Sequence, residues 1–178
     1  MLFSCKNEIE EIKAITGDSE LPVKIIKNGT FHYTEESNLV NTLIASELKR
    51  FEGEDPRIEV YGGFTMLIYD SLERVDASIE AEEGIFYDLE GRLECYKNVI
   101  AVNAEQDSLL TEELIWVQDS NLVYSNKFVE ISNEDGTIYS QGLVTDSHFK
   151  RYKLKQVSGD ININEDQKEN QQDNDGSK

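Results

Sequence analysis

No run of eighteen apolar residues occurs anywhere in the sequence, so nothing in it is long and oily enough to cross a bilayer as a helix. Histidine is scarce: His32 and His148 stand apart from each other and from any cysteine. A metal centre needs three or four converging ligands, so both read as surface or structural residues, and no metal is expected. The two cysteines, Cys5 and Cys95, sit in unlike settings. A bond between them would tie a chain terminus to a strand inside a sheet and is not expected, and Cys95, within LECYKNV, reads as a small buried thiol. Basic residues are few, 17 against 36 acidic ones, which leaves a net charge of −19 and a pI near 4.4. Such a field repels nucleic-acid phosphates and excludes a nucleic-acid partner.

Catalytic groupings are missing as well. There is no Ser-His-Asp set and no glycine loop built to cradle phosphate. Neighbouring carboxylates such as Glu82 with Glu83 and Glu112 with Glu113 point to opposite faces of a strand, so they cannot converge as general acid and base. Asp70 and Asp88 could flank a groove as glycosidase acids do, but nothing in the sequence ties them together. No enzymatic activity and no cofactor are expected.

What the sequence does contain is a repeat. Leu109, Thr111, Leu114 and Trp116 are spaced two, three, two, which is strict alternation broken once, the pattern of a strand with a bulge. The spacing recurs as Leu43, Ala45, Leu48 and Arg50, as Ile79, Ala81, Gly84 and Phe86, and as Ile138, Ser140, Leu143 and Thr145. Successive units begin 36, 30 and 29 residues apart, a period that marks repeat architectures. A second strand in each unit opens on Phe64, Val99, Phe128 and Val157, though a shift of one residue there would exchange its faces. The second column holds only Ala45, Ala81, Thr111 and Ser140, so something passes close to the backbone. Tight stacking of rungs in a dry interior, or a groove admitting a long apolar ligand, would each account for it.

Along the chain, residues 1–20 read as a tether, with a short helical stripe at Ile9, Ile12 and Ile15. Leu2-Phe3-Ser4-Cys5 resembles a bacterial lipobox, which would make Cys5 a lipidation site. PVKIIK and TFHYT read as strands parted by a turn at Asn28-Gly29, and Pro22 places the first of them at a sheet edge. Turns are predicted at residues 52–56, 88–91, 118–121 and 133–136. The folded domain covers 21–164, and 165–178, without an apolar residue, is an acidic disordered tail.

The run from Leu109 to Trp116, the segments YSNKFVEI at 124–131, IYSQGL at 138–143 and FKRY at 149–152, and the earlier LIASELKRF at 43–51 and LIYD at 67–70 are together similar to the LptC family in its Bacteroidetes-type form. The likeness runs from Leu21 to Ile161, with departures at Val117, Asn126 and Leu143. It implies an all-β fold, a twisted, V-shaped β-jellyroll of the kind shared with LptA. It also implies a periplasmic carrier anchored at the inner membrane, here through Cys5. Such a carrier takes lipopolysaccharide from the inner-membrane ABC transporter and passes it to an LptA-like bridge protein by pairing of edge strands. The residues expected to face the acyl chains are Leu43, Ala45, Phe64, Ile79, Ala81, Phe86, Val99, Leu109, Thr111, Trp116, Phe128, Ile138 and Ser140. A structural β-repeat scaffold or a glycan-binding envelope protein is the alternative; the single tryptophan, on an apolar column, speaks against an aromatic platform for glycans.

Overall fold

The structure, a computed structural model, describes residues 21–149 and 151–161. The tether with its helical stripe, Cys5 and the acidic tail lie outside the described residues. Among the described residues the chain forms strands only: β1 (Lys24–Glu35), β2 (Asn38–Phe51), β3 (Arg57–Tyr69), β4 (Val75–Ala81), β5 (Glu83–Tyr87), β6 (Arg92–Asn103), β7 (Ser108–Val117), β8 (Leu122–Ser125), β9 (Val129–Asn133), β10 (Gly136–Ser140), β11 (Leu143–Thr145), β12 (Lys153–Leu154) and β13 (Ser158–Ile161). Each pairs antiparallel with its neighbours in one continuous ladder; the strands are those the alternation predicted, and the all-β, jellyroll-like architecture is the one the family resemblance implied. The four predicted turns fall between β2 and β3, β5 and β6, β7 and β8, and β9 and β10. Pro22 lies just before β1, which is an edge strand as expected.

One expectation fails at the start. Asn28-Gly29 does not turn the chain back; β1 runs through it as one strand of 12 residues, with Asn28 at φ 52°. The hairpin reverses instead at Glu36-Ser37, where φ is 48° and 73°. Asn28 has the conformation that the sequence pair suggested, but it bends a strand rather than closing a hairpin.

That bend is part of a crease running across the whole sheet. The register slips between Ala45 and Glu47 on β2, against Gly62-Gly63 on β3, and between Tyr96 and Val99 on β6. Glu82 separates β4 from β5, residues 126–128 separate β8 from β9, and Gln141-Gly142 separates β10 from β11. Left-handed φ values collect on this line, at Asn28, Gly62, Gly63, Lys97, Asn98, Gly142 and Gln156. The two-three-two spacing is the sequence image of the crease: one residue leaves the ladder, and the inward parity resumes one position later. Gly62 and Gly63 serve conformation rather than space, since φ is 74° and 96° while a Cβ on Gly63 would meet nothing within 4 Å.

The crease divides the sheet into two leaves. The first holds residues 24–27, 47–51, 57–61, 92–96 and 113–117 with β5, β8, β11 and β12; the second holds the other halves of those strands with β4, β9, β10 and β13. Breaking each strand frees backbone groups that must be satisfied again. Hydroxyls of Thr111 and Ser140 in the small second column, and of Ser125 beside it, do this. Lys127 N–H donates to Ser125 Oγ (3.1 Å), Ser125 Oγ lies 3.2 Å from Thr111 Oγ1, and Thr111 Oγ1 donates to the Phe128 carbonyl (2.9 Å). One unit later Ser140 Oγ donates to the Gly142 carbonyl (2.8 Å) and accepts from Lys155 N–H (2.9 Å).

The first leaf's outer face is closed by its own polar pairs. Arg57-Ile-Glu-Val-Tyr61 and Arg92-Leu-Glu-Cys-Tyr96 repeat one outward pattern, in which the tyrosine hydroxyl donates to the glutamate two residues back at 2.6 Å in both. Arg57 and Arg92 also lie over the Phe51 and Tyr87 rings, 4.4 and 4.2 Å from their centroids.

Candidate binding cleft

Residues of like parity on the two leaves face each other and enclose the interior, which differs from end to end. In the C-terminal units the leaves are in contact: Val99, Leu109, Leu114, Val123, Val129 and Leu143 are at most 3% exposed and form one apolar cluster. Phe149, at φ 54° in the segment after β11, is buried in this cluster, with Tyr152 and Leu154 packed alongside. Cys95 lies in the same cluster, the small buried thiol the sequence suggested, and burial pushes its pKa up to about 12, so it stays protonated.

At the β1–β3 end the leaves stand apart. Between them lies a cleft of about 570 Å³, inside the span of about 300 to 1,000 Å³ usual for small-molecule sites. Phe64, Val60 and Leu93 are buried at its floor, while Phe31, Leu43, Ile58, Met66 and Phe86 are half-buried along its walls. The rim is mixed, with Tyr33, Leu89 (77% exposed), Asp88, Gln118 and Asp119. Asp88 is held by Arg50 at 2.9 Å. Phe64 reaches the floor because its partner strand has no side chain at Gly84, where a Cβ would stand 2.7 Å from the ring.

Of the residues expected to line a groove, only Leu43, Phe64 and Phe86 border the cleft. Ala45, Ile79, Ala81, Val99, Leu109, Thr111, Trp116 and Ser140 all face inward but are packed in the interior, and Ile138 is half-buried. The small second column is explained by its neighbours. In one row Ala45 pairs with Phe64 and Phe64 with Ala81, while Val99 pairs with Thr111, Thr111 with Val129, and Val129 with Ser140. Small and large side chains alternate across the strands, so this column is tight stacking of rungs.

Phe128 does not take the inward position expected of it. It is 50% exposed, before the start of β9, and stacks on Tyr139 with ring centroids 5.8 Å apart; Val129 takes the inward place. Three residues leave the ladder at this unit's crease, so the inward parity resumes one position later than counted. Val157, which opened the fourth second strand, is exposed for a like reason. The cleft residues not anticipated, Phe31, Tyr33, Asn41, Ile58, Val60 and Met66, had one legible signal: Ile58-Val60 and Phe64-Met66 alternate on either side of Gly62-Gly63.

The histidines and the two candidate acids have separate local partners. His32 accepts or donates a bond to Thr42 Oγ1 at 2.9 Å, and His148 lies against the Asp76 carboxylate. Asp70 belongs to the turn after β3, where the backbone N–H and the guanidinium of Arg74 hold its carboxyl down to about 2. Asp88 borders the cleft while Asp70 does not, so the two do not form a pair across it. Among the described residues no group of three metal-ligating side chains converges, and no helix is long and apolar enough to cross a membrane.

Comparison with curated proteins gives no match. The family described as lipopolysaccharide-assembly, LptC-related, matches the chain over residues 1–170, nearly its whole length. With that match, and with an all-β sheet folded about an apolar interior, the chain belongs to the LptC family, whose members are components of lipopolysaccharide transport rather than enzymes.

Proposed function

We propose that the chain is a periplasmic carrier whose cleft holds acyl chains of lipopolysaccharide between the inner-membrane ABC transporter and an LptA-like bridge protein, without chemical change to the lipid. The observation that carries this reading is the separation of the leaves at the β1–β3 end, where Leu43, Ile58, Met66 and Phe86 present half-buried hydrocarbon to a cleft. Burying a methylene gains about 0.8 kcal/mol, so a few turns of an acyl chain suffice for binding. The anionic head stays in solvent, since the rim carries Asp88 and Asp119 and offers it no basic cradle. Of the thirteen residues first expected to touch lipid, Leu43, Phe64 and Phe86 are the ones this reading keeps in contact with it.

Strand edges supply the partner surfaces. β1 presents 12 residues at one edge of the ladder, whereas the other edge is made of β12 and β13, of two and four residues. An unpaired edge is a template for another strand, and a long one gives the larger contact. In the same reading residues 1–20 are a tether lipidated at Cys5, which holds the 21–164 domain at the inner membrane, and 165–178 is a solvated tail.

The test is site-specific photo-crosslinking in cells. A crosslinking residue at Leu43 or Met66 captures lipopolysaccharide, and one at Ile79 or Leu109, in the packed interior, does not. Capture at Leu109 with none at Leu43 and Met66 would refute the cleft as the carrier site.

A further inference from the structure

One cleft residue does not suit an oily ligand. Asn41 lies on β2 in the wall of the cleft and is 8% exposed, and its Oδ1 is buried with no hydrogen-bond partner among the described residues. Its register partners are Tyr33 and Ile68, and Leu43 follows on the same face of its own strand. An acceptor left without a donor in such surroundings is costly, and an aliphatic side chain would fill the place without that cost. Asn103 on β6 shows the usual arrangement for a buried asparagine in this fold. Its Nδ2 donates to Asp107 Oδ2 (3.1 Å) and its Oδ1 accepts the Asp107 N–H (2.8 Å). Trp116 Nε1 and Thr145 Oγ1 also lack partners, but neither residue borders the cleft.

Resting on the carrier reading above, we infer that Asn41 selects hydroxylated acyl chains, its carboxamide pairing with a hydroxyl near the head end of a chain lying in the cleft. A hydroxyl both donates and accepts, so it satisfies either end of the amide as the group turns about its last torsion. The place along the chain follows from the wall. Asn41 is opposite Tyr33 at the rim, while the floor is made by Phe64, Val60 and Leu93. The hydroxyl therefore sits close to the polar head and the remaining carbons run inward. A plain chain of the same length fills the same space but leaves Asn41 Oδ1 without a donor, so the two ligands differ by one buried hydrogen bond.

The full chain is titrated with 3-hydroxytetradecanoic acid and with tetradecanoic acid, reading displacement of a fluorescent fatty acid. The wild type prefers the hydroxylated chain by about tenfold, the size of one buried hydrogen bond. Asn41→Leu, or Asn41→Ala should the first not fold, loses the preference and binds the plain chain at least as well as the wild type does. Equal affinities in the wild type, or a preference that survives in N41L, overturn the role of Asn41 while leaving the carrier reading intact. Failure of both probes to bind overturns the carrier reading with it. Competition by purified lipopolysaccharide supports the carrier reading, and the absence of competition overturns it and leaves the cleft to free hydroxylated fatty acids.

Discussion

The two ends of the interior are built from the same strand pattern and differ in what they enclose. Around Leu114, Val123 and Leu143 the leaves meet, and Phe149 is buried in the same cluster. Around Leu43, Ile58 and Met66, which pack against the same core, a cleft stays open between them although the side chains are no smaller. Side-chain size therefore does not decide where the space lies. The difference comes from the boundary: the closed end has a turn that folds an aromatic ring inward, and the open end finishes in an edge strand that no other described strand covers. One core runs through both halves, and only at the β1–β3 end does it leave room for a ligand.

That contrast can be broken by substitution. The largest effect is expected at the closed end, where Leu143→Ala should lower unfolding free energy by about 3 kcal/mol, measured by urea denaturation, while uptake of an acyl-chain probe is unchanged. Next, Thr111→Val keeps the shape but leaves the Phe128 carbonyl without its donor; a loss of about 1 to 2 kcal/mol is expected, again without effect on uptake. Leu43→Trp should reverse the pattern, filling the cleft and abolishing probe uptake while moving stability by less than about 1 kcal/mol. A core that loosens with L43W, or a cleft that closes with L143A, would show the halves to be coupled.

The smallest effect concerns pH. Asp70 is held down to about 2 by Arg74, below its ordinary 3.8, so the folded state binds its proton less readily than the unfolded chain does. Its contribution is complete above pH 3.8 and is lost as pH falls through about 2. Asp70→Asn should remove that part of the acid limb, seen as a small drop in thermal midpoint at neutral pH that vanishes under strongly acid conditions. Its partner Arg74 is exposed, so solvent screens the pair and the change is expected to be slight.

Much of the scaffold could be read from the residues. Alternation gave the strands, and clusters such as Asp88-Leu-Glu-Gly91 gave the turns, because both depend on local chemistry. The break in each first-strand column was visible too, as the gap between Thr111 and Leu114. Hidden from a linear reading was that Gly62-Gly63 and Lys97-Asn98 break the second strands at the same level, turning separate bulges into one crease. Phe128 was misjudged for that reason, since the number of residues leaving the ladder varies between units and parity cannot be carried across it. The cleft was the least legible feature. Leu43 and Leu109 head equivalent columns, yet one borders open space and the other is packed, and that depends on the distance between leaves rather than on either residue. Asn41 was in plain view, but an asparagine between apolar neighbours carries meaning only once its surroundings are known.

The crease reaches the free margin of β1, where Asn28 bends the strand near its middle. A straight ribbon laid along that margin can match only one arm of the bend before its amides drift out of step with those of β1. Any chain that docks there along its full length therefore needs its own kink at the matching level, most simply a glycine or asparagine with a few extended residues on either side. The sheet thus imposes a spelling rule on whatever joins it, and a scrambled peptide of identical composition would not satisfy it.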